Sequence, residues 1–131
     1  MTCTHINRFP KGAQGNATWA KLHAADYVEN SLTVGDEHWN RLIAGIKESG
    51  VYAGLAFSEK DDHFIYMAQA LITPAGNSLI HRHKLRPSGG ERDIFTDGDI
   101  SGLKVVDSQY GRIGMLECGE YVVFSRKSLN L

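Results

Sequence analysis

The stretch GRIGMLECGE, residues 111–120, sets a single cysteine, Cys118, between two glutamates and in front of a glycine. A cysteine that ends a strand ahead of a glycine can ride a sharp turn with its sulfur exposed. The same turn offers backbone N–H groups to a developing oxyanion. That is the chemistry of a covalent nucleophile, and it requires a cationic or basic neighbour, because the thiolate is the reactive form. The other fate of a free cysteine is burial as a small hydrophobe. Lys84, at the end of HRHKL (81–85), could bring positive charge to an anionic intermediate. Glu91, in PSGGERDIF (87–95), could accept hydrogen bonds in a cleft; both could equally be solvated charges. His81 and His83 share one face of a strand, since side chains alternate with period two. Such a pair could ligate a metal, but the sequence shows no third or fourth ligand at a helpful spacing, so no metal site is expected. Glu59, in AFSEKDDH (56–63), reads as a candidate base or as a charged strand end.

Elements that could position these groups are legible around them. Residues 37–49 carry Trp39, Leu42, Ile43 and Ile46 at helical spacing, with Asp36 as N-cap and Gly50 as the stop. Residues 17–30 allow a shorter helix through Trp19, Leu22, His23 and Tyr27. Strands are expected at 51–57, 64–73, 78–85, 103–108 and 113–118. The turn PAGN (74–77) joins the second to the third as a hairpin. Residues 86–102 hold Pro87 and four glycines and read as a long loop of the kind that often carries function. Two helices followed by strands give an α/β or α+β layer, with the helices on one face of a mixed sheet. The other face would be bare, and an uncovered apolar face calls for a partner.

The bounds are consistent with one domain. The chain has 131 residues, 42% hydrophobic and 22% charged, with a net charge of −1. A near-neutral balance gives no reason to expect nucleic acid or an anionic membrane as partner. Two cysteines do not make a disulfide framework, and a reducing, cytoplasmic location is expected. Residues 1–16 lack an apolar leader pattern, and no apolar run is long enough to span a bilayer. The expected organisation is an irregular segment at 1–16, a domain at 17–120, and an atypical tail at 121–131.

Taken together, FPKG (9–12), ENSLTVGDEHW (29–39), GLAFSEKD (54–61), YMAQALITPAGNSLIHRHKLRP (66–87), the glutamate of GGER (89–92) and GRIGMLECGE (111–120) resemble the nitrilases and cyanide hydratases of the carbon–nitrogen hydrolase superfamily. The resemblance implies a partial α-β-β-α sandwich and no cofactor. It implies hydrolysis or hydration of a nitrile, or of cyanide, through a cysteine thioimidate. By the same resemblance Cys118 is the nucleophile, Lys84 stabilises the tetrahedral intermediates, Glu91 orients the site, and Glu120 and Glu59 are accessory. Homo- or hetero-oligomers are implied as well. Three departures stand out. The family's general-base glutamate aligns near Cys3, where there is no carboxylate. Glu117 and Gly119 flank Cys118 in place of an asparagine and an aromatic. The family's C-terminal half has no counterpart in this sequence. The chain is therefore expected to be inactive or weak alone. The alternatives are a non-catalytic partner of a full-length nitrilase and a fragmentary gene model.

Overall fold

The computed structural model describes residues 17–120, with side chains from Leu22 onward; the expectations for 1–16, for 121–131 and for Trp19 lie outside them. Helix α1 spans Ala17–Glu29 and α2 spans Glu37–Ser49. The start of α2 is fixed by the Asp36 side chain, which accepts a 2.7 Å hydrogen bond from the backbone N–H of Trp39. Its end is fixed by Gly50 at φ 66°, whose N–H reaches the Ile46 and Lys47 carbonyls.

Strands β1 (Ala53–Asp61), β2 (Phe64–Ile72) and β3 (Ser78–His83) form one three-stranded sheet in that order. Both ladders are antiparallel, which corrects the mixed sheet expected from the sequence. Short turns close both hairpins, and a short turn can return the chain only antiparallel. Parallel pairing among the described residues is limited to an isolated bridge between Leu32 and Glu59. Strands β4 (Val105–Ser108) and β5 (Gly111–Gly114) form a separate two-stranded ribbon.

The two faces of the sheet follow from its register. Leu55, Phe57 and Glu59 on β1 lie across from Ala70, Ala68 and Tyr66 on β2, and His81 and His83 on β3 lie across from Ala70 and Ala68. Trp39 and Ile46 of α2, with Ile43 beside them, pack on this first face against Ala70, Ile72, Leu55 and Phe57. The second face carries Ile65, Met67 and Gln69 of β2 and Ile80, Arg82 and Lys84 in and just past β3. Tyr27 and Val28, at the end of α1, pack on it with Ile94 and Phe95. The helices therefore lie on opposite faces, and the face expected to be bare is packed by residues of this chain. Leu22, counted toward the apolar stripe of α1, is turned to solvent, and among the described side chains of the helix it is Tyr27 and Val28 of the last turn that dock on the sheet.

The long loop also has more structure than its glycines suggest. It contains 3-10 turns at Gly89–Asp93 and Ile100–Gly102. Gly98 lies against β3, with its N–H on the Lys84 carbonyl at 2.9 Å. A Cβ there would stand 2.6 Å from that carbonyl oxygen and 2.7 Å from His83 Cβ. The approach requires glycine, and it clamps the loop to the strand end that bears Lys84.

Candidate active site

Lys84 follows β3 on the second face. It is almost wholly buried, at 1% exposure. A buried ammonium needs a partner, and Glu91 Oε2 accepts its hydrogen bond at 2.7 Å. The Met67 sulfur also lies 3.7 Å from Nζ. Burial alone would lower the lysine's affinity for its proton. Glu91, and beyond it Glu117 and the Cys118 thiol, outweigh burial and hold the ammonium above its ordinary range. Lys84 is thus a fixed cation within electrostatic reach of Cys118.

Glu91 is set by the local sequence. In Ser88-Gly89-Gly90-Glu91 its Oε2 also accepts from the Ser88 N–H at 2.7 Å, while the Glu91 N–H bonds back to the Ser88 carbonyl at 3.1 Å. This is capping-box chemistry applied to a 3-10 turn. It leaves the carboxylate at a defined height over Lys84. The Ser-x-x-Glu spacing was a readable signal for it.

Cys118 is a free, exposed thiol. It does not end a strand, as the sequence suggested: β5 stops at Gly114, and the cysteine sits in a turn beyond it. Residues 115–117 make no ladder, and side chains take up two of their backbone groups. The Leu116 carbonyl accepts from Gln69 Nε2 at 3.2 Å, and the Glu117 N–H donates to Glu120 Oε2 at 2.8 Å. Cys118 has φ 47°, a left-handed conformation that strains a non-glycine residue. The next residue, Gly119, faces the Ser88 hydroxyl, where a Cβ would sit 3.6 Å away. The Cys118 turn and the Glu91 turn are therefore neighbours.

The element that holds the cysteine turn is a buried ion pair that sequence reasoning named only in half. Glu120 takes both terminal nitrogens of Arg82, at 2.6 and 2.9 Å, and the Leu85 N–H at 2.8 Å. Arg82 also donates to Gln69 Oε1 at 2.9 Å. Burial alone would raise the Glu120 carboxyl. The Arg82 bonds, with the Leu85 and Glu117 N–H groups, hold it below the usual carboxylate range. Period-two alternation was the signal for Arg82: it puts the arginine on the face of Ile80 and Lys84, opposite the histidines.

Glu59 does not join this group. It belongs to the first face, where its Oε2 meets His81 Nε2 at 2.6 Å and His83 Nε2 at 3.0 Å. Burial would raise its carboxyl, but the two imidazoles pull it down to about 2. Of the five residues picked from the sequence, the fold brings four together on one side of the sheet and sends Glu59 to the other.

Comparison with known proteins decides the family. The sequence model of the carbon–nitrogen hydrolases matches residues 15–123. The chain belongs to the carbon–nitrogen hydrolase family. It is 40% identical over 106 residues to a cyanide hydratase of Stereum hirsutum, covering 80% of this chain and 29% of that one. A nitrilase of Talaromyces marneffei is 38% identical over 98 residues, covering 74% of this chain and 30% of that protein. A nitrilase of Alcaligenes faecalis described as arylacetone-specific is 32% identical over 108 residues, 82% and 30% of the two chains. The chain thus spans about three-tenths of the length of these carbon–nitrogen hydrolase relatives. No helix among the described residues is long and apolar enough to cross a membrane.

Proposed function

We propose that this chain carries the nucleophile half of a nitrilase-type site and uses it on a nitrile or on cyanide. The observation that supports this most is the Lys84–Glu91 pair held against the Cys118 turn. In this reading the Cys118 thiolate adds to the nitrile carbon, and the nitrogen takes up a proton to give a thioimidate. Lys84 stabilises the charge that develops on nitrogen, and Glu91 holds the lysine in place. Water then resolves the adduct, either releasing an amide and regenerating the thiol, or releasing ammonia and then acid. No cofactor enters any step.

Turnover by this chain alone is expected to be slow. Residues 1–16 contain no aspartate or glutamate, so they supply no carboxylate base at the position that aligns near Cys3. Glu120 is committed to Arg82, and Glu91 to Lys84 and Ser88. A positioned general base is commonly worth about 10²- to 10⁴-fold in rate. The expected result is therefore a covalent adduct on Cys118 that forms and persists. Intact-mass analysis after incubation with an activated nitrile should show one added equivalent, absent from Cys118→Ser. An unmodified protein, or an adduct retained in Cys118→Ser, refutes the reading.

Association is the second element of the proposal. Leu22, Ile100, Val105 and Tyr110 are all more than half exposed, a load of apolar side chains that fits contact with another copy or with a full-length relative. Sedimentation velocity should show a dimer or larger species, or co-sedimentation with an intact nitrilase. A monomer that ignores the added nitrilase removes this element and leaves the adduct chemistry standing.

A further inference from the structure

The first face of the sheet holds a group of side chains that the nitrile chemistry does not use. Glu59 comes from β1 and His81 and His83 from β3, and β2 runs between those two strands. Side chains on outer strands meet over a middle strand only when the middle strand offers little bulk. Here the β2 residues across from His83 and His81 are Ala68 and Ala70, both essentially fully buried, and Tyr66, across from Glu59, lays its ring on His83 instead of filling the space. Two methyl groups leave a trough, and the carboxylate and both imidazoles close over it. One donor atom from each residue lies within 4.8 Å of the other two.

Aromatic walls fix the imidazoles. The Tyr66 ring stacks on His83 with centroids 3.9 Å apart and planes 3° from parallel. Phe57 lies parallel to His81 at 6.5 Å. Both histidines aim Nε2 at the same oxygen, Glu59 Oε2. The Glu59 side chain is 5% exposed, whereas His81 is 36% exposed and leaves a way in from solvent. Asp61, which acts electrostatically on His81, adds negative potential at the mouth.

We infer that Glu59, His81 and His83 form a binding site for a divalent transition-metal ion of the zinc type. Two imidazoles and one carboxylate suit Zn²⁺ and its neighbours better than Ca²⁺ or Mg²⁺, which prefer all-oxygen shells. A tetrahedral ion with bonds of about 2.0–2.1 Å would set its donors roughly 3.3 Å apart. The present 2.6 and 3.0 Å contacts would open by about 0.7 and about 0.3 Å to reach that separation, with each ring proton moved to Nδ1. The fourth position would be left to water. Such an ion would bridge β1 to β3 across the back of the strand that leads into Lys84, a role separate from the thiol chemistry on the other face.

The test uses the full chain with Zn²⁺ or Co²⁺ alone as probe. Calorimetry should find one saturable equivalent, and the thermal midpoint should rise on metal addition and fall back with a chelator. The chain has six histidines. Co²⁺ should broaden the ring resonances of His81 and His83 selectively, and should give no thiolate charge-transfer band. His81→Asn and His83→Asn should each weaken binding at least about tenfold, in line with loss of one of three ligands. Three results overturn the inference: no saturable binding, binding unchanged in both variants, or broadening confined to other histidines. The last needs no variant and so decides the matter even if the substitutions unfold the sheet.

Discussion

Replacing Glu120 by alanine is expected to lower the unfolding free energy by about 3–5 kcal/mol, the usual cost of stripping one partner from a buried ion pair. The Arg82 side chain has no solvent exposure and Glu120 only 6%, so the guanidinium left behind cannot turn to water for its hydrogen bonds. The Leu85 and Glu117 N–H groups lose their acceptor at the same time. For a domain of ordinary stability, about 5–15 kcal/mol, this is a large fraction of the total. Urea unfolding measures it directly. A double variant, Arg82→Met with Glu120→Leu, should be far less destabilised, because it removes both charges and leaves none stranded. A Glu120→Ala shift under about 1 kcal/mol would mean that the pair adds only what an exposed ion pair does.

The same pair gives this chain an acid limit. Glu120 has its folded affinity for protons held below the ordinary value of 4.5. The folded state therefore binds fewer protons than the unfolded chain, and stability rises with pH over that interval. The contribution of Glu120 is complete above the unfolded value and is lost as pH falls through the folded one. Urea midpoints measured downward from that point should fall more steeply for wild type than for Glu120→Gln. Parallel slopes would remove Glu120 from the explanation.

What could be read from the sequence was what local chemistry decides. Asp36 and Gly50 bound α2 because capping is settled within one turn of the residue concerned. PAGN joined β2 to β3 for the same reason. The short, ordered blocks that carry the family resemblance hold Cys118, Lys84 and Glu91, and the fold brings these three near one another. Several of the misreadings depended on pairing with other segments of the chain. β1 was ended at Phe57 on apolarity. It runs on to Asp61 because β2 pairs with it throughout, which carries Glu59 into the sheet and onto the face of the histidines. Residues 113–118 read as a strand; 113 and 114 do pair with β4, but beyond them Gln69 bonds the Leu116 carbonyl and Glu120 the Glu117 N–H. The third ligand for His81 and His83 was invisible because Glu59 lies 22 residues upstream of His81 and meets it only through two hairpin registers.

The division of labour between Lys84 and Cys118 can be separated by choosing electrophiles. Lys84→Met keeps an unbranched stem beside Met67, and it leaves Glu91 partly solvated at 16% exposure and still bonded to Ser88, so the fold should survive. Its effect on the thiol and its effect on the adduct are then distinct. Alkylation by iodoacetamide needs only the thiolate, and no charge develops on a nitrogen. Loss of the nearby cation should slow it modestly, by about tenfold or less for a partly solvated charge pair. Addition to a nitrile leaves negative charge on nitrogen, where the buried ammonium acts in a low-dielectric site. Removing one such donor commonly costs about 10²- to 10³-fold in rate. Rates of both reactions on wild type and Lys84→Met, with circular dichroism to confirm folding, should therefore diverge by at least about tenfold. Equal slowing of the two would reduce Lys84 to a counter-ion for the thiolate. No slowing of either would make it a buried strut for the Glu91 turn, and the case for nitrile chemistry in this chain would then rest on Cys118 alone. Only the divergent result requires that the ammonium face the reacting nitrogen, which a structural lysine would not provide.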